Sequence, residues 1–311
     1  MSVPQVGFGA RLAAGHRAYG QLCVGIDPHP GMLTAWGLSD DAAGLREFSR
    51  RIIAAAAGRV AVVKPQVAFF ENYGIGGMEA LAQIIAEAKQ AGLLVIADAK
   101  RGDIGSTMAA YAEAWLNPQK DFAADALTVS PYLGFGSLAP AVEAAQRYRG
   151  GLFVLALTSN PQGQEVQLAR HDQGVAGVAR SQSTVAGHIV AQIQQINTAQ
   201  QINTAQQIND GAAATDADPE ADPAAVGDIG LVVGATTAAL ARRNQMDLTV
   251  GRPALLAPGY GAQGATAEAI RSGFGAAWPQ VLVNSSRSIL QQGPEVADLI
   301  QAIEAARTDL Q

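Results

Sequence analysis

The chain has a single cysteine, Cys23, in 311 residues, so it cannot form an internal disulfide. Its four histidines are scattered and lack the paired spacing of a zinc site. No apolar run approaches the roughly 18 residues of a membrane span, and the N-terminal residues lack the continuous apolar region of a secretion signal. We therefore expect no structural metal, no membrane segment and a cytoplasmic location.

Basic charge is also scarce. The 21 Lys and Arg residues are outnumbered by 27 Asp and Glu residues, the formal net charge is -6, and the chain contains no basic tract. Because such a chain repels a nucleic-acid backbone overall, we expect no nucleic-acid partner. A few converging Lys and Arg side chains would still suffice to bind a small anionic metabolite.

Apolar residues make up 49% of the chain, and many of them form short runs that end in polar residues, glycine or proline. Eight such runs occur, at residues 22–26, 60–63, 93–97, 126–129, 152–157, 229–233, 254–257 and 281–283. Most are separated by alanine-rich stretches with helical spacing, such as residues 78–90. Continuously apolar strands indicate a parallel sheet that helices cover on both faces. The pattern predicts one α/β domain, a (β/α)8 TIM barrel over residues 1–311, with a doubly wound open sheet as the alternative.

The connection between the fifth and sixth runs is much longer than the others, and we assign residues 162–226 to an insertion there. Within it the hexapeptide QINTAQ occurs twice in tandem, at residues 195–206, and an Ala/Asp/Pro-rich stretch follows at residues 211–225. Ile189, Ile193 and Ile196 share one helix face, whereas isoleucines six residues apart do not. We expect a packed helix that continues into an exposed low-complexity extension and a flexible acidic loop.

Charged residues cluster where two neighbouring strands end, and in such a barrel the carboxyl ends of the strands face the site. Asp98 and Lys100 stand two residues apart, so their side chains project to the same side, and Asp103 follows where the chain leaves the strand. Lys64 directly follows the second apolar run, a position where an ammonium group needs a charged partner. Two cations and two carboxylates that alternate in space offset the cost of their desolvation. For residues 96–107 alone, a solvated charged loop that opens a helix is the alternative.

A second candidate region follows the seventh and eighth runs. Gly259, Gly261 and Gly264 form a GxGxxG pattern, but Asn284 stands where a dinucleotide-binding fold needs an acidic residue. In TIM barrels the loops after strands seven and eight frequently bind phosphate through backbone N–H groups. Arg287 follows the eighth run, and its guanidinium group can bind two phosphate oxygens at once.

The pattern DxKxxDIxxT, formed by Asp98, Lys100, Asp103, Ile104 and Thr107, resembles that of the orotidine 5′-phosphate decarboxylases when it is taken together with Lys64. The chain length, the SNP tripeptide at residues 159–161 and the insertion after the fifth run resemble the longer bacterial (type 2) form of that family. The resemblance covers nearly all of the chain outside residues 162–226.

This resemblance implies loss of CO2 from orotidine 5′-phosphate to give UMP, the last step of pyrimidine nucleotide synthesis, without a metal or cofactor. Lys100 would protonate C6 of the pyrimidine, and Lys64, Asp98 and Asp103 would complete the charged array. It also implies a homodimer with shared active sites, in which Asp103, Ile104 and Thr107 reach into the neighbouring subunit. The remaining implied substrate contacts are Asp27 near the ribose hydroxyls, Ser159 at the base, Gln263 between phosphate and pyrimidine, and Gly259, Gly261 and Arg287 at the phosphate.

Two alternatives remain at this point. A magnesium-dependent sugar-phosphate lyase or decarboxylase of the same barrel suprafamily shares the DxKxxD pattern, but it carries a metal-binding carboxylate where this chain has Lys64. A nucleotide-binding barrel without catalytic activity would need only the phosphate-binding region. One departure from the family pattern is Ser286, which precedes Arg287 where the family often has glycine.

Overall fold

The computed structural model describes residues 3–4, 6–170, 184–209, 225–261 and 264–311. Eight parallel strands form a closed barrel in chain order, and the last strand pairs with the first. This closure confirms the (β/α)8 barrel and excludes the doubly wound open sheet. The strands are β1 (Leu22–Ile26), β2 (Val62–Pro65), β3 (Leu94–Arg101), β4 (Ala126–Val129), β5 (Gly151–Leu157), β6 (Gly227–Val233), β7 (Pro253–Pro258) and β8 (Val281–Ser285).

All eight apolar runs correspond to strands, but some strands extend into the polar residues that follow the run. We predicted the second strand at residues 60–63, whereas β2 ends at Pro65, so that Lys64 lies within the strand and pairs with Gly25. Strand β3 continues four residues past its predicted end because Arg101 still pairs with Val129 of β4. The strand ends therefore carry the charged residues directly into the barrel mouth.

Helices surround the barrel and fill the connections. Helix α5 buries Leu81, Ile84, Ile85 and Ala88, the face that the spacing predicted, although it begins before residue 78. The helices are α1 (Phe8–Tyr19), α2 (Pro30–Ala35), α3 (Ala42–Ala56), α4 (Val67–Glu71), α5 (Gly74–Gln90), α6 (Gly105–Leu116), α7 (Ala139–Tyr148), α8 (Gly163–Gln167), α9 (Val185–Asn209), α10 (Ala238–Arg243), α11 (Ala267–Phe274), α12 (Arg287–Leu290) and α13 (Val296–Leu310).

Helix α1 closes the end of the barrel at which the strands begin. The Phe8 ring packs edge-on against Phe153 inside the barrel, with the ring centroids 5.8 Å apart. The backbone N–H of Gly9 donates to Asp228 Oδ1 at 2.7 Å, and Arg11 forms an ion pair with Asp125. These contacts cover the end of the barrel at which the strands begin, and the cavity described below lies at the opposite end, where the strands finish.

Helix α9 lies within the predicted insertion and packs on β5 and β6. Helix α9 buries Ile189 and Ile193, as predicted, and it continues through the QINTAQ repeat. In the first copy, Asn197 is fully buried and its Nδ2 donates to the Ile229 carbonyl at 2.8 Å. In the second copy, Ile202 is 52% exposed. The acidic loop that we expected at residues 211–225 lies, except for its last residue, outside the described residues.

Candidate active site

A cavity of about 310 Å³ opens at the carboxyl ends of the strands, within the size range of small-molecule sites. Most strand ends deliver a polar side chain to it because the strands are parallel and finish at the same rim, whereas among the described residues β6 contributes only Val232. The polar residues lining it include Asp27, Lys64, Gln66, Asp98, Lys100, Thr128, Thr158, Ser159, Asn160, Asn284, Ser286 and Arg287. Seven of the twelve residues that the sequence predicted for the site line this cavity: Lys64, Asp98, Lys100, Asp27, Ser159, Gly259 and Arg287.

Asp98 is the centre of the charged cluster, and both of its carboxylate oxygens accept two hydrogen bonds. Lys100 Nζ and Thr128 Oγ1 donate to Oδ1 at 2.6 and 3.0 Å. Lys64 Nζ and Gln66 Nε2 donate to Oδ2 at 2.9 and 3.1 Å. Four donors from β2, β3, β4 and the residue after β2 thus fix the carboxylate, and the carboxylate in turn fixes both ammonium groups.

The cluster remains charged although it is buried. Burial disfavours the ammonium of Lys64, which is 3% exposed, but the carboxylates of Asp98 and Asp27 outweigh this effect and raise the pKa of Lys64 above its usual value. Burial likewise disfavours the carboxylate of Asp98, but Lys64 and Lys100 outweigh it and hold the pKa of Asp98 well below its usual range. Near neutral pH Lys64 therefore remains an ammonium and Asp98 a carboxylate.

Lys100 differs from Lys64 in its exposure and its backbone. Its side chain is 46% exposed at the cavity mouth, so its ammonium group is open to a bound molecule. Its φ of +48° lies in the left-handed region, which costs a residue other than glycine about 1–3 kcal/mol. Its backbone N–H donates to Thr128 Oγ1 at 2.9 Å, which helps to hold this conformation.

Asp27 brings an unsatisfied acceptor to the cavity. Its Oδ1 is buried and has no hydrogen-bond partner among the described residues. A buried carboxylate oxygen without a donor is costly, so this position suits a ligand hydroxyl. Gly25, two residues before Asp27 in β1, has no room for a side chain, because a Cβ there would stand 1.8 Å from Ser286 Oγ.

The anion-binding end is only partly covered by the described residues. Arg287 lines the cavity, and its guanidinium group forms no hydrogen bond or ion pair with any other described residue, so it is open to a ligand. Gly259, with a φ of +116°, also lines the cavity. Gly261 lies in a neighbouring groove, and its N–H donates to the Ala265 carbonyl at 3.1 Å. Gln263 lies outside the described residues.

Asp103, Ile104 and Thr107 do not join the cluster within a single chain. Asp103 Oδ1 accepts the backbone N–H of Ile104 at 2.8 Å, and none of the three residues lines the cavity. Ile104 is 62% exposed. The chain therefore assembles three of the four charged residues that the sequence placed together and leaves the fourth on an accessible surface beside the site.

Comparison with known proteins decides the family. The model of the orotidine 5′-phosphate decarboxylase / HUMPS family matches residues 20–302. The chain belongs to this family. An orotidine 5′-phosphate decarboxylase of Streptomyces coelicolor is 48% identical over 298 residues, which cover 96% of this chain and 94% of the relative. One of Salinispora arenicola is 46% identical over 302 residues, which cover 97% and 96%.

A solved structure from Streptomyces avermitilis, assigned to the same enzyme, superimposes with a TM-score of 0.84 at 46% identity and covers 100% of this chain and 96% of its own. The family membership confirms the resemblance that the DxKxxDIxxT pattern carried, and the longer bacterial form fits. None of the helices described here is long and apolar enough to cross a membrane.

Several residues of the site were missed by the sequence reasoning. Gln66 and Thr128 bind Asp98, yet each is a single uncharged polar residue inside or just after an apolar run. The apolar residues that line the cavity were also missed, because apolar residues in strands are expected in any barrel. They include Leu155, Val232 and Leu256. A threonine in the otherwise apolar ALTV run of β4 was the one available signal.

Proposed function

We propose that this chain removes CO2 from orotidine 5′-phosphate and releases UMP, acting as a carboxy-lyase in pyrimidine nucleotide synthesis. The observation that carries the proposal is the pairing of Lys64 and Lys100 with the two oxygens of Asp98 in the cavity of a member of this family. The relatives named above carry the same activity in their names.

The chemistry required is electrostatic. Breaking the bond between C6 and the carboxylate carbon leaves an electron pair in the plane of the pyrimidine ring, where the π system cannot delocalise it. The Lys100 ammonium would stabilise this developing charge and then transfer its proton to C6. Asp98 would face the substrate carboxylate, so that repulsion between the two falls as neutral CO2 departs. We give the ammonium group the larger role, because its field acts on the transition state itself.

The remaining residues would bind the ribose, the base and the phosphate of the substrate. Asp27 would accept a ribose hydroxyl with its unsatisfied oxygen, and Ser159 would contact the base. Arg287, whose guanidinium group has no partner among the described residues, would bind the phosphate. Gly259, Gly261 and Gln263 belong to the same proposed phosphate-binding region. No metal ion or cofactor has a step in this mechanism.

The active form would be a homodimer with shared sites, in the cytoplasm. Asp103, Ile104 and Thr107 line no part of their own chain's cavity, which supports their assignment to the neighbouring subunit. In that arrangement Asp103 supplies the second carboxylate, and the array alternates Lys64, Asp98, Lys100 and Asp103. Neither nucleic acid nor a membrane is a partner in this proposal.

No observation favours the magnesium-dependent alternative. The position that would carry a metal-binding carboxylate holds the Lys64 ammonium, and Asp98 is already bound by two cations. The test is the near-ultraviolet absorbance, which differs between orotidine 5′-phosphate and UMP. We expect conversion at an unchanged rate in EDTA. Loss of activity in EDTA would support the metal-dependent enzyme, and a flat trace at micromolar protein would support a binding protein without catalytic activity.

A further inference from the structure

Thr128 lies where β3 and β4 lose their regular pairing. Ala97 pairs with Leu127 and Arg101 with Val129, so three residues of β3 stand opposite the single residue Thr128. Lys100, the last of the three, has the left-handed φ of +48°. A bulge of this kind re-aims side chains, and here it points the ammonium of Lys100 back toward Asp98.

The Thr128 hydroxyl joins the two sides of this bulge. Its Oγ1 accepts the backbone N–H of Lys100 at 2.9 Å and donates to Asp98 Oδ1 at 3.0 Å, the same oxygen that accepts Lys100 Nζ. Thr128 is 1% exposed, so water cannot replace these bonds without a rearrangement. One side chain therefore bonds both the strained backbone of Lys100 and the carboxylate that orients the Lys100 ammonium.

We propose that Thr128 is a positioning residue for the reaction, which acts by holding the Lys100 ammonium and the Asp98 carboxylate in their mutual geometry. The proposal rests on the proposed function of Lys100. Without the hydroxyl, the backbone of Lys100 leaves the left-handed region and the carboxylate of Asp98 rotates. The ammonium group then loses its fixed place at the cavity mouth, while the substrate-binding residues Asp27 and Arg287 are unaffected.

Two substitutions separate the hydroxyl from the methyl group. Thr128→Val keeps the shape and removes the hydroxyl, and Thr128→Ser keeps the hydroxyl and removes the methyl group. We expect Thr128→Val to lower kcat and the single-turnover rate of CO2 loss by about 10- to 100-fold, since a displacement of about 1 Å can have an effect of this size. KM and the affinity for UMP stay within about threefold of wild type, and Thr128→Ser retains most of the rate.

The control is Ser49→Ala, which removes a fully buried hydroxyl from α3 at a position that does not line the cavity, and it is expected to leave the rates unchanged. Equal losses in Thr128→Val and Thr128→Ser would overturn the proposal, because they would trace the effect to packing. A wild-type rate in Thr128→Val, or a change confined to KM, would overturn it as well.

If Thr128→Val does not fold, Thr128→Cys replaces it, because a thiol is a much weaker hydrogen-bonding group of similar size. Its rate is expected to fall well below that of Thr128→Ser, and equality between the two would contradict the proposal. A failure of the proposed function would give a different result, because the wild-type protein itself would then leave orotidine 5′-phosphate unconverted.

Discussion

Lys100 and Asp98 lie two residues apart on β3, and their charged groups meet with Nζ 2.6 Å from Oδ1. Both groups belong to the same strand, and their contact holds the ammonium group in place when charge develops at the reacting carbon. Lys64 donates to the other oxygen of Asp98, and together with Thr128 and Gln66 it holds the carboxylate in this orientation. The end of β3 thus holds the Lys100 ammonium group in a fixed position at the cavity mouth.

Substitution of Arg287 should affect substrates according to whether they carry a phosphate. We expect Arg287→Gln to raise KM for orotidine 5′-phosphate by about 100-fold or more, because two charge-assisted hydrogen bonds are lost. The conversion of orotidine, which lacks the phosphate, should change little. Steady-state kinetics with both substrates check this, and Arg243→Gln on the exposed surface of α10 is the control. Equal effects on the two substrates would argue against a phosphate contact.

The shared site can be tested by mixing two inactive variants. In a dimer of one Lys64→Ala chain and one Asp103→Ala chain, one site retains both residues if Asp103 acts in the neighbouring subunit. Random exchange makes half of the dimers mixed, so we expect about one quarter of wild-type activity to return.

The control for this experiment is a mixture of Lys64→Ala and Lys100→Ala chains, in which no site is complete and no activity should return. Each variant is first shown to fold and to bind UMP, and subunit exchange is followed with differently tagged chains. Exchange without any return of activity would show that Asp103 does not act across the dimer.

His16 should make the fold sensitive to mild acid. Its Nε2 is buried without a partner among the described residues, and burial lowers the pKa of His16 to about 4. Above its ordinary pKa of about 6.5 it is neutral in both states, and below that value only the unfolded chain binds the proton. The free energy of unfolding should therefore fall between about pH 6.5 and pH 4, by up to about 3 kcal/mol from this residue.

Urea unfolding at several pH values measures this dependence, and His16→Gln should flatten it. Stability of the variant at pH 8, where the histidine is neutral in both states, gives the separate effect of the substitution on packing. An unchanged pH dependence in His16→Gln would show that another group is responsible.

The fold could be predicted from the sequence because each strand is buried on both faces and appears as an uninterrupted apolar run. The ends of the strands were less predictable, since pairing between backbones continues through polar residues such as Asp98 and Lys100 in β3. Asn197 shows the same limit in a helix. It lies in a low-complexity repeat, yet it is fully buried and hydrogen bonds to Ile229.

The charged residues that line the cavity could be predicted from the sequence, whereas the roles of the uncharged residues that bind Asp98 could not. Lys64, Asp98 and Lys100 meet as their positions indicated, because charged residues after buried strands need partners. The ALTV run marked Thr128 as a polar position, but its role was not predictable, since that role depends on the irregular pairing of β3 with β4 and on the backbone of Lys100. Asp103 requires a second chain, so its role stays a prediction.

The most direct test of the account is the turnover of orotidine 5′-phosphate by Lys100→Ala, with the exposed Lys120→Ala as the matched control. If the Lys100 ammonium both stabilises the carbanion and protonates it, kcat/KM should fall by at least about 1,000-fold. UMP should still bind to Lys100→Ala with nearly unchanged affinity, and Lys120→Ala should behave as wild type. Turnover by Lys100→Ala within about tenfold of wild type would contradict the central role of Lys100.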